Sequence, residues 1–242
     1  MSDSDSHSFY ERTSHLASGL RALYPGVAPQ AVLDQLGAGQ GADFGHLGRQ
    51  EQARQLGDWF GAQGLCVPKS ALGGEVGFVG SGAEHETYFD SVGRVAVKVT
   101  HDGRFGHCLR EEGAVARPVD YLQRLAWHNE LFGDDIVLHG LLLESAGIRL
   151  VTSQAWIVSH PAKLSPTQAE IDEFLAEFGY RRSQAYPDGF IYFNAEAGMV
   201  IGDAQPANLL LDREGVIRPI DLVIAEPAGG FLACLQSAAK QG

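Results

Sequence analysis

The sequence predicts an α+β protein of two lobes, on three observations. Residues 74–100 hold short alternating apolar runs punctuated by glycine. A helical stripe at about 118–132 interrupts further runs of that kind. Residues 199–222, "MVIGDAQPANLLLDREGVIRPIDL", set a polar hexad among strand-like apolar segments.

Taken in order, residues 1–8 are polar and read as disordered, and Leu16, Leu20 and Leu23 then recur at helical spacing until Tyr24-Pro25. The glycine-rich "LGAGQGADFGHLG" precedes a second helix at about 50–63, with Leu56, Trp59, Phe60 and Gln63 on one face. Residues 1–70 are expected to be a helical N-terminal extension. "GEVGFVGSGAEHETYFDSVGRVAVKVT" predicts a three-stranded meander with a turn at Asp90-Ser91-Val92-Gly93. Pro118 opens a helix whose stripe is Val119, Leu122, Leu125, Ala126, Asn129 and Phe132. "DDIVLHGLLLES" and "GIRLVTSQAWIV" add two strands around Ser145-Ala146-Gly147, which makes a five-stranded antiparallel first lobe over 71–158. In the second lobe, 159–242, Ser165-Pro166-Thr167-Gln168 reads as a capping box for a helix carrying Ile171, Phe174, Leu175 and Phe178, with Gly179 ending it. A hairpin turns at Ala195 to Gly198, and a second one at Asp212-Arg213-Glu214-Gly215.

With 242 residues and 45% hydrophobic content, the chain can bury a real core. Its net charge of −12 opposes any partner held by phosphate neutralisation, so nucleic acid is not expected. Cys66, Cys108 and Cys234 are few, odd in number and widely spaced, which fits neither a disulfide framework nor a zinc site. The N-terminus is polar, and no apolar run approaches the roughly 20 residues of a membrane span. A soluble, cytoplasmic protein is expected.

Three places carry chemistry. Asp203 lies five residues before Asn208, and the second hairpin brings Asn208 within one or two residues of Asp221. An amide oxygen beside a carboxylate suits Mg²⁺ held largely through substrate phosphates, and Asp203 is placed to take a proton from a nucleophile. Equally, Asp203 can cap a turn and Asp221 can pair with Arg218 or a backbone amide. Second, Gly80-Ser81-Gly82 between two strands lets backbone approach phosphate oxygens, although a plain tight turn reads the same way. Third, alternation through residues 94–100 puts Val95, Val97 and Val99 on one face and Ala96 and Lys98 on the other. A lone strand lysine is often a guard against edge pairing. This one follows the glycine turn in the same small sheet.

Glycine turn, strand lysine, Asp-x-x-x-x-Asn and a later Asp, in that order, resemble the protein-kinase-like superfamily. "IGDAQPANLLL" and "PIDL" look more like the aminoglycoside and choline kinase type of phosphotransferase than like eukaryotic protein kinases. Closer still is the kinase-like domain of phage and mobile-element polyvalent proteins, to which "GSGAEHE-YF", "HN-LFGDD", "LVTSQ", "GD--P-N" and "PIDL" are similar, over about residues 75–224. The resemblance implies a compact two-lobed fold binding ATP and Mg²⁺ in the cleft. It implies that Gly80, Ser81 and Gly82 cover the phosphates, Ala96 lines the adenine pocket and Lys98 holds the α and β phosphates. Glu130 would partner Lys98, Asp203 would orient or deprotonate the acceptor, and Asn208 and Asp221 would hold the metal. Residues 157–161 would form the hinge.

The chain departs from the pattern in three ways. His85 stands where a third glycine is usual, Gln205 stands where a histidine is usual, and 21 residues follow Asp221, so a strongly shortened second lobe is expected. The expected activity is ATP- and Mg²⁺-dependent phosphoryl transfer, or nucleotidyl transfer, to a protein or small-molecule acceptor. The alternatives are a pseudokinase that binds nucleotide without turnover, and an unrelated α+β protein with accidental motifs.

Overall fold

A computed structural model describes residues 19–38, 44–74, 76–143, 145 and 147–240. Residues 1–8, Leu16, residues 39–43 of the glycine-rich run and Ala146 of the predicted turn lie outside the described residues. The chain divides into two compact units. The first falls within residues 1–27, 57–103 and 137–156, and the second within 28–56, 104–136 and 157–242.

The first unit is built on a sheet of β1 (Cys66–Val67), β2 (Val76–Ser81), β3 (His85–Asp90), β4 (Val95–Thr100), β5 (Val137–Leu142) and β6 (Leu150–Ala155), ordered β1-β5-β6-β4-β3-β2. The predicted meander is present. The sheet has six strands rather than five, because Cys66–Val67 adds parallel to β5 at Leu141 and Leu142. A two-residue strand has no alternation to read, which is why the sequence hides it. Val95, Val97 and Val99 pack with Leu20, Val76, Leu142 and Val151 in one core, so the predicted alternation of β4 holds.

The same valine face is closed by the N-terminal segment. The Leu20 amide donates to buried Asp90 at 2.6 Å, and the amides of Val92 and Gly93 donate to the other carboxylate oxygen. Arg21 donates to Ser153 Oγ at 2.8 Å, and His139 bonds Tyr24 O at 2.5 Å and Ser153 Oγ at 2.8 Å. A carbonyl only accepts, so His139 Nδ1 carries the proton and Nε2 accepts from Ser153. Only Leu20–Leu23 is helical, and Leu23 is exposed rather than sharing Leu20's buried face. The helix stops because the chain is pressed onto β5: a Cβ at Gly26 would lie 2.2 Å from Leu138 O.

The second unit begins with α1 (Pro29–Ala38), a helix the sequence reading missed. Pro29 opens it and Val32 and Leu36 are its buried i, i+4 pair, but the glycines from Gly37 onward mask so short a pattern. In α2 (Arg49–Ala62), buried Gln52 donates to Phe44 O and Leu47 O and accepts from Val119 N, tying the helix to the start of α3 (Pro118–Phe132). α3 matches its predicted range, and its buried surface extends beyond the stripe to Tyr121, Arg124 and His128. Its exit is fixed by side chains: Asn129 bonds both the amide and the carbonyl of Ile136, and His128 Nδ1 lies 2.6 Å from Asp134 Oδ2.

α4 (Gln168–Glu177) does start at a capping box, two residues later than predicted. Thr167 is the cap and Glu170 accepts from its amide at 2.6 Å, because the carboxylate that reaches back must sit three residues on. Ile171 and Leu175 enter a core with Tyr180, Tyr192, Ile201, Ala204, Leu209 and Leu222. β7 (Arg181–Arg182), β8 (Tyr192–Asn194), β9 (Met199–Gly202) and β12 (Val223–Ala225) form an antiparallel sheet ordered β12-β9-β8-β7, while β10 (Leu209–Leu211) and β11 (Ile217–Pro219) form the second predicted hairpin. α5 (Gly229–Ala239) follows. Among the described residues, no helix is long and apolar enough to cross a membrane.

Candidate active site

In the second unit, β9 delivers the chain to Gly202, where a Cβ would lie 2.3 Å from Leu109 Cδ1, so any larger residue would have to push that side chain aside. Asp203 follows with φ of 56°, one of three described non-glycine residues in the left-handed region. Such a conformation costs of order 1–3 kcal/mol and persists only where the surroundings enforce it. Here the enforcement is visible. Ala204 is buried and its amide donates to Phe190 O at 3.3 Å, while Gln168 at the start of α4 reaches Ala204 O at 3.4 Å and Tyr192 Oη at 2.6 Å. Gln205 N donates back to Asp203 O at 2.9 Å, and Pro206–Asn208 complete a 3-10 turn.

Both oxygens of Asp203 are engaged: Gln205 Nε2 donates to Oδ1 at 2.7 Å and Asn208 Nδ2 to Oδ2 at 2.6 Å. The residue is exposed on one side, yet the protein side strips enough water from the carboxyl to raise its pKa above the ordinary value. The Asn208 amide opposes that rise, the Asp221 carboxylate adds to it, and Gln205 and His107 pull weakly downward. Asn208 Nδ2 also bonds Asp203 O at 2.9 Å, so the amide is oriented and its Oδ1 has no donor among the described residues.

Ile220 N donates to Asn208 O at 2.9 Å, and the β10–β11 register pairs Leu209 with Pro219. Asn208 therefore faces Ile220, one residue from half-buried Asp221, as predicted from the turn. Arg218 is engaged with Asp212 at 2.9 Å. An amide oxygen and a carboxylate are hard donors and fit Mg²⁺ better than a softer metal.

In the first unit, Gly80 and Ser81 end β2, next to a register shift between Phe78 and Gly80, and His85 opens β3. The turn is braced: Gly82 N donates to His85 O at 2.8 Å, His101 Nε2 bonds Gly82 O at 2.9 Å, and buried His85 lies 3.2 Å from Glu84. The Gly82 amide is thus committed, whereas that of Ala83 has no acceptor among the described residues. Neither glycine is demanded by its backbone. A Cβ at Gly80 would meet nothing within 4 Å and one at Gly82 only His85 O at 3.9 Å, with neither φ in the left-handed region. Ala96 and Lys98 are half-buried on the face opposite the valines, with Lys98 between Thr87 and Thr152. Glu130 is exposed near the end of α3 and belongs to the second unit, whereas Lys98 belongs to the first.

Sequence reasoning missed Gln168, which reaches the Asp203 loop from the start of α4, and the contacts by which Gln205 holds Asp203 and by which His128, Asn129 and Asp134 fix the exit of α3. The last three lie in the polar "HN-LFGDD" run, whose side chains turn back on their own loop. A family model described as a serine/threonine/tyrosine kinase found in polyvalent proteins matches residues 49–226. No curated protein matches the chain.

Proposed function

The chain belongs to the serine/threonine/tyrosine kinases found in polyvalent proteins, and from that premise we propose that it transfers the γ-phosphoryl group of ATP, with Mg²⁺, to a hydroxyl of a protein or small-molecule acceptor. The observation that carries this reading is the loop Asp203–Asn208. One amide, Asn208, donates through Nδ2 to the carboxylate that would face the acceptor and leaves Oδ1 for a cation.

In the proposed step the acceptor hydroxyl oxygen bonds to the γ phosphorus, the bond from that phosphorus to the β,γ-bridging oxygen breaks, ADP departs, and the hydroxyl proton passes to Asp203. Lys98 would hold the α and β phosphates, and Gly80, Ser81 and Gly82 would give the clearance that lets backbone lie against them. Ala96 would line the base site. Asn208 Oδ1 and Asp221 would hold Mg²⁺, which supplies neutralisation of the phosphate oxygens when bound. Glu130 remains our candidate partner for Lys98. Catalysis of this kind rests on positioning and charge.

A second reading, a nucleotide-binding module without turnover, is favoured by one contact: Gln205 already donates to Asp203 Oδ1, so an acceptor hydroxyl would compete with it for that oxygen. Incubation with γ-labelled ATP, parent beside Asp203→Asn and α-labelled ATP in parallel, separates the readings. The kinase reading expects transfer or slow hydrolysis in the parent, reduced by a factor on the order of 10²–10⁴ in the variant. Equal γ labelling in both would remove Asp203 from the chemistry, and no labelling in either would leave the binding module.

A further inference from the structure

His101 follows β4 and reaches back to the glycine turn. Its main-chain amide donates to Glu84 O at 3.0 Å, and its ring nitrogen Nε2 lies 2.9 Å from Gly82 O. A carbonyl only accepts, so Nε2 carries the proton. One residue thus holds the carbonyls of both neighbours of Ala83. The register shows from which side the ring acts, because directly opposed residues in a sheet share a face. His85 with Thr100, Thr87 with Lys98 and Phe89 with Ala96 lie on one face. Glu86 with Val99, Tyr88 with Val97 and Asp90 with Val95 lie on the other, the face of the valine core. The bond from His101 N to Glu84 O continues this ladder by one step, so the imidazole belongs to the valine face and Lys98 to the opposite one. Glu86 agrees with that placing. Burial opposes its ionisation, yet Arg149 and Tyr88 bond its carboxylate and the charge of His101 adds to their effect, so its pKa lies below the ordinary value.

In a trans peptide the carbonyl and the amide that follows it point opposite ways. A ring on the valine face that draws Gly82 O toward itself therefore turns the N–H of Ala83 toward the face of Lys98. The Gly82 amide is committed to His85 O at 2.8 Å, whereas that of Ala83 has no acceptor among the described residues. An unpaired main-chain N–H turned to the same face as an ammonium suits an anion. The hairpin does not need the imidazole to close. The β2–β3 ladder, the bond from Gly82 N to His85 O and the His101 main-chain amide already join the strands, and one side-chain bond at a half-buried position adds little to them. What the ring adds is the direction of one peptide plane.

We propose that His101 is a positioning residue for phosphate binding: its Nε2 proton holds the Gly82 carbonyl on the valine face, so that the Ala83 amide donates to a nucleotide phosphate oxygen on the face of Lys98. The inference rests on the nucleotide reading above and deepens it with a residue that lies outside both the glycine turn and the lysine strand. His101 itself touches no phosphate, and its effect passes wholly through the Gly82–Ala83 peptide.

The test compares His101→Leu, which removes the donor, with His101→Gln, whose amide returns an N–H near the place of Nε2. Binding of MgATP, inorganic tripolyphosphate with Mg²⁺, and adenosine is measured on the full chain for the parent and both variants, beside thermal unfolding. His101→Leu should weaken MgATP and tripolyphosphate roughly tenfold, as loss of one oriented hydrogen bond to an anion does, and leave adenosine unchanged. His101→Gln should recover most of that loss. Ala83→Pro deletes the N–H itself at a turn position that proline tolerates, and it should cost about the same tenfold. Adding His101→Leu to it should then cost nothing more, because both changes remove one interaction. Losses that add in the double variant overturn the proposal, and so does equal loss in the leucine and glutamine variants. A His101→Leu protein that keeps parental tripolyphosphate affinity, whether or not it melts earlier, makes the ring a structural brace and leaves the nucleotide site in place. A parent that binds neither MgATP nor tripolyphosphate removes the nucleotide reading and this proposal with it.

Discussion

Replacing Gly80 or Gly82 by alanine should separate what the turn does for the fold from what it does for a ligand. At Gly80 the new methyl meets nothing within 4 Å, at Gly82 its nearest neighbour is His85 O at 3.9 Å, and neither backbone is left-handed. Alanine at such a site restricts the unfolded chain and stabilises by roughly 0.4–1 kcal/mol. In a chain of this length that is a rise of about 1–4 °C in melting temperature. The internal control is Gly140→Ala, where φ is 117° and the methyl would lie 1.8 Å from Leu65 O. There the dihedral alone costs on the order of 1–3 kcal/mol before the clash is counted. If phosphates pass over the turn, the same harmless methyl at Gly80 or Gly82 stands between backbone and anion. Loss of one charge-assisted hydrogen bond, about 1.5–3 kcal/mol, weakens ATP roughly 10- to 100-fold. Titration calorimetry with MgATP, beside thermal unfolding, reads both effects. Alanine variants that fold as expected and bind ATP like the parent would show that the turn is only a turn.

Lys98→Ala should weaken ATP and tripolyphosphate alike in a chain whose net charge is −12, and equal affinities in mutant and parent would detach Lys98 from the phosphates. Asp221→Asn should remove the Mg²⁺ dependence of nucleotide binding while the protein still folds, so unfolding without any change in metal response would make Asp221 a structural partner instead. Burial holds His139 below its ordinary pKa of 6.5. As pH falls through 6.5 the unfolded chain takes up the proton first, so stability is complete above that value and erodes below it. His139→Asn should be less stable overall yet lose this part of the slope, and parallel melting curves from pH 7 to 5 for both proteins would exclude His139 as its source.

What the sequence reveals depends on whether a feature repeats along the chain. The β4 alternation, the α3 stripe and the Asp212 to Gly215 turn are local, and each is found where periodicity or turn chemistry places it. Cys66–Val67 and Pro29–Ala38 are held by partners distant in sequence, Leu141 and Leu142 in one case and the α3 helix in the other, so no window of sequence contains their cause. Leu23 shows the converse error: a periodic leucine is exposed because tertiary pressure from β5 ends the helix after one turn.

The site divides along the same line. Asp203, Asn208 and Asp221 are legible because polar residues in an apolar run are costly unless something meets them, and the hairpin count then sets their spacing. The division of labour within Asn208 was not legible, because it depends on Asp203 being left-handed, which depends in turn on Gly202 against Leu109 and on Ala204 clamped by Phe190 and Gln168. Those clamps come from the residues just before β8, from α4 and from the segment before α3, three places remote from the loop. Gln168→Leu should therefore lower turnover more than it raises the KM for ATP, because it frees the Ala204 carbonyl without touching any group proposed to meet nucleotide. A variant with parental kcat would place the force that bends Asp203 wholly in Gly202 and Phe190.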